Sequence, residues 1–272
     1  MQDNKALQAG TSHNLGQNFS KAFDLKFQAE HGGQEFAWNT SWGVSTRLVG
    51  GLVMTHGDDI GLRTPPLLAP IELVIVPIYR SDEERGRVLD AADRILDTLE
   101  EWERRDPGRL RVHVDDREGM KPGAKYYEWE LRGVPLRMEI GPRDLEQNQG
   151  VLVRRDTREK RPISLDTVGE DVNELLMRIQ EDMLIAARDR REQNSIRHRI
   201  SYDDFRALMD DKGAFVYAGW CESPECEQQI KEETKATIRV LPDEEFRSAE
   251  APEKCLKCGR PSVTEAVWAK AY

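Results

Sequence analysis

The sequence predicts an α/β and α+β chain of more than one domain. Three observations carry this. Its 272 residues are enough for about two domains at roughly 100–200 residues each. A central stretch alternates strand-like and helix-like periods, the pattern of a layered α/β sandwich. Four cysteines, all after residue 220, mark a tail too small to hold itself together by apolar burial alone. Lys and Arg number 40 against 50 Asp and Glu, a net charge of −10, which excludes a polycation that coats nucleic acid without sequence preference. Any nucleic-acid contact must use a local basic face. The longest apolar runs, such as Leu73–Ile78, fall far short of the roughly 20 residues of a membrane span. The first residues hold no apolar signal-peptide core, which leaves a cytoplasmic chain as the expectation.

Residues 1–68 are rich in Gly and aromatics. Phe23–Phe27 and Phe36–Thr40 alternate apolar and polar residues, as half-buried strands do. Ser45–Thr55 is expected as a buried helix through Leu48, Val49, Leu52 and Val53. Strands without an upstream partner suggest part of a larger sheet. Thr64–Pro70 breaks the pattern as a linker. Residues 71–170 then alternate. Leu73–Ile78 is a continuous apolar strand, as in a covered parallel sheet. Ser81–Glu103 is a helix, with Ser81 and Glu84 as a capping box and Val88, Ala92, Ile95, Leu96, Leu99 and Trp102 on one face. Leu110–Val114 is a strand, Lys121-Pro122-Gly123 a turn and Ala124–Leu131 a short helix. Val134, Leu136, Met138 and Ile140 alternate on a further strand, and Val151–Val153 begins another. Residues 171–272 open with a helix at about Val172–Asn194, follow with a second at Tyr202–Asp211, and end in the Cys-bearing piece.

The chemistry-bearing residues form four groups. Cys221-x4-Cys226 and Cys255-x2-Cys258-Gly259 supply four soft ligands on two knuckles, the donor set a tetrahedral Zn2+ takes. Four thiolates leave no open position, so such a zinc is structural; the alternative is four unrelated thiols. Gln8–Gly16 is a Gly-rich polar loop that lets backbone approach a ligand, or a plain turn. Thr40–Arg47 brings small hydroxyls and a Gly before an Arg at a strand-to-helix passage, as a phosphate site would. Finally, Asp115, Asp116, Arg117, Lys125, Glu128, Arg137, Glu139 and Arg143 cluster near a stretch, Arg132–Arg161, with eight basic and five acidic residues. These are either ordinary surface ion pairs or side chains that bond to splayed-out RNA bases.

Several collinear motifs then carry a resemblance. Lys5–Phe19 (KALQAGTSHNLGQNF), Thr40-Ser41-Trp42-Gly43 with Arg47, and Thr55-His56-Gly57-Asp58-Asp59 resemble the class II prolyl-tRNA synthetases in their archaeal/eukaryotic-like form. So do Pro122-Gly123-x-Lys125, Trp129-Glu130-Leu131-x-Gly133-Val134-Pro135, Gly141-Pro142-x-Asp144-Leu145, the four cysteines and the closing Lys270-Ala271-Tyr272. The likeness covers nearly the whole chain. It implies that residues 1–68 are the C-terminal remnant of an antiparallel-sheet catalytic domain. Residues 71–170 would be a class II anticodon-binding domain, and residues 171–272 a helical linker and zinc-bearing domain.

The resemblance also implies roles. Gln8, Thr11, Ser45, Thr46 and Arg47 would meet ATP, with Arg47, from the third class II signature, acting in catalysis. His13, Trp42 and Gly43 would line the pocket for L-proline. Asp116, Arg117, Lys125, Glu128, Arg137, Glu139 and Arg143 would read the anticodon of tRNA(Pro). The Tyr272 carboxylate would reach back toward the active site. ATP, Mg2+ and structural Zn2+ are the implied cofactors, and the family is homodimeric. The first two class II signatures are absent, so the chain is expected to be a C-terminal portion, incomplete for catalysis. The alternative is a non-catalytic tRNA-binding or regulatory module. Ile60 and Leu67 stand where the family commonly has Arg.

Overall fold

In the computed structural model, which describes residues 1–105 and 110–272, the chain forms two compact units. One is Leu52–Gln193; the other combines Met1–Gly51 with Asn194–Tyr272.

The chain begins with β1 (Thr11–Gly16), α1 (Asn18–Ala22), β2 (Lys26–Gln28), β3 (Gln34–Phe36), β4 (Asn39–Gly43) and α2 (Arg47–His56). β1 pairs antiparallel with β4, setting Ser12 opposite Trp42 and His13 opposite Ser41. β2 pairs antiparallel with β3. The strand expected at Phe36–Thr40 is split between these two ribbons. Ala37 N–H donates to Leu25 O, and the Ser20 hydroxyl bonds Ala37 O and the Asn39 side chain. These bonds take groups that a continuing ladder would use. The strand expected from Phe23 starts only at Lys26, because Asp24 adopts φ +50. The expectation of a buried helix at Ser45–Thr55 is corrected. α2 forms but buries no residue, and Val49 is 64% exposed. Two-stranded ribbons offer it no core to lie on.

The Leu52–Gln193 unit holds β5 (Leu73–Pro77), α3 (Asp82–Arg105), β6 (Val112–Val114), α4 (Pro122–Arg132), β7 (Leu136–Ile140), α5 (Pro142–Glu146), β8 (Gln149–Arg154), β9 (Lys160–Ser164) and α6 (Val168–Gln193). The sheet order is β6-β5-β7-β8-β9. β5 runs parallel to β6 and β7, while β8 and β9 are antiparallel additions. Every residue of β5 is buried, as its unbroken apolar run requires in a sheet covered on both sides. Leu73, Ile75, Leu136 and Met138 face Val88, Ile95 and Leu99 of α3 and Val172, Leu175 and Ile179 of α6. Val74 and Val76, on the other face, pack on Trp129 of α4 and on Val134. α6 therefore belongs to the sandwich core rather than opening a separate segment, because its apolar stripe fits the sheet. The Ser81 hydroxyl accepts from Glu84 N–H at 3.2 Å and the Glu84 carboxylate accepts from Arg80 N–H at 2.7 Å, so α3 is capped reciprocally.

The remaining elements are β10 (Ser195–Ile196), α7 (Tyr202–Asp210), β11 (Phe215–Trp220), α8 (Pro224–Thr234), β12 (Ala236–Val240) and β13 (Thr264–Lys270). Their sheet runs β10-β11-β13-β12. Phe205 and Met209 of α7 and Ile230 of α8 close on Val216, Ala236 and Trp268. The chain start joins this unit: Ala6 N–H donates to Lys270 O at 2.9 Å, and Tyr272 N–H to Ala6 O at 3.0 Å. Among the described residues no helix is long and apolar enough to cross a membrane.

Candidate nucleic-acid interface and metal centre

The sandwich gathers most of the charged cluster on one side, at α4 and β7. Asp115, at the end of β6, is fully buried. Its carboxylate accepts from Arg117 Nε at 2.8 Å, from the second Arg117 nitrogen at 2.7 Å and from Trp129 Nε1 at 2.8 Å. Lys125 Nζ donates to Asp115 O at 2.8 Å and lies 3.4 Å from the carboxylate. Burial pushes the Asp115 carboxyl up, but the bonds from Arg117 and Trp129 and the charges of Lys125 and Arg117 outweigh it. The group is held well below the usual carboxylate range.

Arg117 extends the network to Glu128 at 2.8 Å, and Glu128 pairs with Arg132 at 2.6 Å. Arg132 also lies over the Trp129 ring at 4.9 Å. The i, i+4 spacings of Lys125, Trp129 and Glu128, Arg132 put these groups on neighbouring strips of α4. A second group forms on β7. Arg137, 7% exposed, pairs with Glu139 at 2.9 Å and with Glu130 at 2.8 Å, and covers the Tyr126 ring at 4.1 Å. Lys160 closes on Glu139 at 3.1 Å.

Of the anticodon set expected from sequence, then, Arg117, Lys125 and Glu128 meet in the first network and Arg137 and Glu139 in the second. Asp116 is exposed on the loop after β6 and Arg143 is exposed on α5; neither joins a network. Lys125 and Arg137 are buried and paired, whereas Arg117 keeps 40% of its side chain open. Trp129, Glu130 and Asp115 complete the arrangement. The spacing of Trp129 four residues after Lys125 is the signal that could have found it.

Sequence reasoning also missed Asp58 and Arg155. Arg155 is buried and grips the Asp58 carboxylate at 2.7 and 3.0 Å, while its Nε donates to Glu130 O at 2.9 Å. Asp58 also pairs with Arg63 at 2.8 Å. The Arg155 bonds, first of all, hold the Asp58 carboxyl well below its ordinary range.

The four cysteines converge. All their sulfurs lie within 4.8 Å of one another, and Cys221 stands 3.7 Å from both Cys226 and Cys258. A tetrahedron with metal–sulfur arms of about 2.3 Å has edges of about 3.8 Å, so the donor set fits such an ion in chemistry and in spacing. Cys221 follows β11, Cys226 lies in the first turn of α8, and Cys255 and Cys258 lie on the knuckle before β13. Gly259 adopts φ +72, the left-handed turn that lets the knuckle close. Burial pushes the Cys226 thiol up to about 12 and also raises Cys255. The bond from Arg260 to Cys258, at 3.3 Å, pulls that thiol down to about 6.

Near the chain start, the Arg47 guanidinium reaches the Gln8 side-chain oxygen at 3.5 Å, and Thr11 stands opposite Gly43. The Ser45 hydroxyl accepts from Arg47 N–H at 3.4 Å. His13 and Trp42 lie on the same ribbon, Trp42 being 76% exposed; Thr46 is exposed at the entry to α2. Tyr272 bonds the backbone two residues before Gln8.

A parallel sheet extended by antiparallel strands, with a buried charge network on one face, makes an α/β unit that can be compared with known proteins. Residues 72–175 match the family described as anticodon binding domain, and residues 202–272 match prolyl-tRNA synthetase, C-terminal. The proline--tRNA ligase of Christiangramia forsetii is 47% identical over 272 residues, 100% of this chain and 53% of that protein. That of Chlorobium phaeobacteroides is 49% identical over 277 residues, 100% of this chain and 55% of its own. That of Salinibacter ruber is 46% identical over 272 residues, 100% and 54%. These matches support a likeness to the C-terminal portion of prolyl-tRNA synthetases. The chain spans about half the length of the curated relatives it matches.

Proposed function

We propose that the chain is the C-terminal portion of a proline–tRNA ligase, and that alone it binds tRNA(Pro) without completing the activation of proline. The observation that carries this is the anticodon-binding match at residues 72–175, on the unit where α4 and β7 hold Arg117 and Arg137 in fixed ion-pair networks. A guanidinium already braced by two carboxylates loses little freedom when it meets a base edge. Arg117, Glu128, Asp116 and Arg143 are the groups that touch RNA. Lys125, Arg137 and Glu139, buried in pairs, position them. Residues 1–68 supply the ATP and proline contacts, residues 71–170, with α6 packed on their sheet, the RNA contacts, and residues 194–272 the metal domain.

In the whole enzyme the proline carboxylate attacks the α-phosphate of ATP, pyrophosphate leaves, and the tRNA 3′ hydroxyl takes the prolyl group. Arg47, steadied by Gln8, stabilises charge as pyrophosphate leaves; Thr11, Ser45 and Thr46 bond to the nucleotide. His13, Trp42 and Gly43 enclose the proline ring, and by the same family reading the Tyr272 carboxylate reaches toward that pocket. Mg2+, bound with ATP, neutralises phosphate charge. The four cysteines hold a structural Zn2+. The archaeal/eukaryotic-like form, a homodimeric parent and a cytoplasmic site of action follow from the same family reading.

The test is binding of labelled tRNA(Pro) against an unrelated tRNA. Arg117→Ala is the variant of choice, because 40% of its side chain is open to solvent and Lys125 and Trp129 still answer the buried Asp115 carboxylate when it is removed. The expected loss is about 1–3 kcal/mol, the range for one base contact, with no loss for the unrelated tRNA. Equal binding of both RNAs refutes the reading. The second reading is a non-catalytic tRNA-binding or regulatory module, supported by the anticodon-binding match at residues 72–175. Proline-dependent ATP–pyrophosphate exchange by the chain alone refutes both the incompleteness and this second reading.

A further inference from the structure

The four cysteines come from two stretches far apart in the chain. Cys221 follows β11 and Cys226 begins α8, whereas Cys255 and Cys258 belong to the knuckle before β13. Backbone bonds shape the knuckle. Cys255 N–H donates to Arg260 O at 2.8 Å and Gly259 N–H to Cys255 O at 3.0 Å. Leu256 N–H donates to Gly219 O at 2.9 Å and so lays the knuckle beside β11. These bonds place the backbone and do not aim the sulfurs. Packing aims only some of them. Cys226 and Cys255 are buried, but Cys221 is half-buried and Cys258 is exposed.

Arg260 meets the two that packing leaves open. Its Nε donates to Cys258 Sγ at 3.3 Å, and a terminal nitrogen lies 3.7 Å from Cys221 Sγ. One sulfur comes from each stretch. Glu225 lies close enough to feel the Arg260 charge, yet the guanidinium bonds to sulfur. Lys257, the cation between Cys255 and Cys258, is turned away: it pairs with Glu233 at 2.5 Å and lies over the Tyr202 ring at 4.1 Å. A planar fork suits two acceptors at once. Bonds from outside the coordination sphere fix how ligands point at a metal, and a cation here offsets the charge that four thiolates leave on a Zn2+ centre. We propose that Arg260 is a positioning residue of the metal centre. Its guanidinium bridges Cys221 and Cys258, aims both sulfurs before the metal arrives, and sets how tightly and how long Zn2+ is held. This rests on the reading of the four cysteines as a zinc site.

The test titrates the full chain with Zn2+ alone against a chromophoric chelator at one fixed pH. Arg260→Ala is expected to lower the affinity for Zn2+ by about 10–100-fold, the range for losing an outer partner of a ligand. It also speeds transfer of the bound metal to excess chelator. Arg260→Lys keeps the charge but cannot fork, and recovers only part of the loss. Lys254→Ala removes the same charge from the exposed residue beside Cys255 and leaves affinity and release unchanged. In saturating Zn2+ all three variants melt with the wild type, which separates weaker binding from a failure to fold. Full rescue by Arg260→Lys, an unchanged affinity in Arg260→Ala, or an equal loss in Lys254→Ala overturns the proposal and leaves the zinc reading standing. Early melting of Arg260→Ala even in saturating Zn2+ overturns it as well, because the residue then serves the fold and not the metal. A wild-type chain that takes up no Zn2+ overturns both.

Discussion

At the residue scale, Asp115 holds the α4 face together. It is a fully buried carboxylate answered by two cations and an indole N–H. Breaking a buried pair by removing one partner leaves the other charge uncompensated. Asp115→Asn strands Lys125, whose side chain is 3% exposed, and is expected to destabilise the sandwich by about 3–5 kcal/mol in urea unfolding. A loss under 1 kcal/mol is incompatible with this role. The pH dependence has a definite sign. The folded carboxyl lies below its unfolded value, so its contribution is fully present above an unfolded pKa of about 3.9. It is lost as pH falls below that toward the folded value. Wild-type stability should therefore decline below about pH 4 more steeply than that of Asp115→Asn. Parallel declines rule out Asp115 as a source. Asp58, depressed in the same direction by Arg155, adds to the wild-type decline and persists in the variant.

At the scale of elements, the turn after α2 is fastened to the end of α4. Leu62 N–H donates to Leu131 O at 3.0 Å and Thr64 N–H to Gly133 O at 3.2 Å. Gly133 ends α4 at φ +76, and a Cβ there would stand 2.6 Å from Leu62 Cβ and 2.8 Å from Leu62 backbone atoms. Gly133→Ala is expected to cost about 1–3 kcal/mol, read as a shifted urea midpoint. Gly123→Ala, at a helical site with nothing within 4 Å, should be neutral or slightly stabilising; equal effects from both would deny the close approach. Elements whose partners lie within the chain were legible in the sequence. The apolar run of β5 and the single stripe of α3 say which faces are covered, and the chain supplies the cover. α2 carries an equally apolar pattern, yet its burial was misjudged because periodicity records the demand for a partner and not its presence. The split at Ala37 was hidden because it depends on Ser20, a hydroxyl far along the chain. In the charge cluster the residue types were legible, but which cations are spent on internal pairs was not. Lys125 and Arg117 look alike in sequence, and only the fold separates a buried pair from an open guanidinium.

At the scale of the molecule, the C-terminal part has a small buried core and, beside it, a long connection gathered at the four cysteines. Residues 241–263 join β12 to β13 with only a short 3-10 turn at Glu244–Phe246. A connection longer than about 12–15 residues with so little regular structure is uncommon in a compact domain. Cys255 and Cys258 tie this connection to Cys221 and Cys226 at the other end of the sheet strand and α8. Without a metal the four sulfurs hold each other only by weak thiol contacts at 3.7 Å. A metal turns those contacts into bonds, and its binding energy becomes folding energy. The chain purified with zinc is therefore expected to carry one equivalent, released by a strong chelator. Chelation should lower one melting transition, that of Asn194–Tyr272, and leave the Leu52–Gln193 transition in place, because the sandwich core contains none of the ligands. Cys255→Ser should reproduce the chelator effect in untreated protein. A chain that binds no zinc, or one in which chelation moves both transitions equally, excludes the knot as the element that holds the C-terminal part folded.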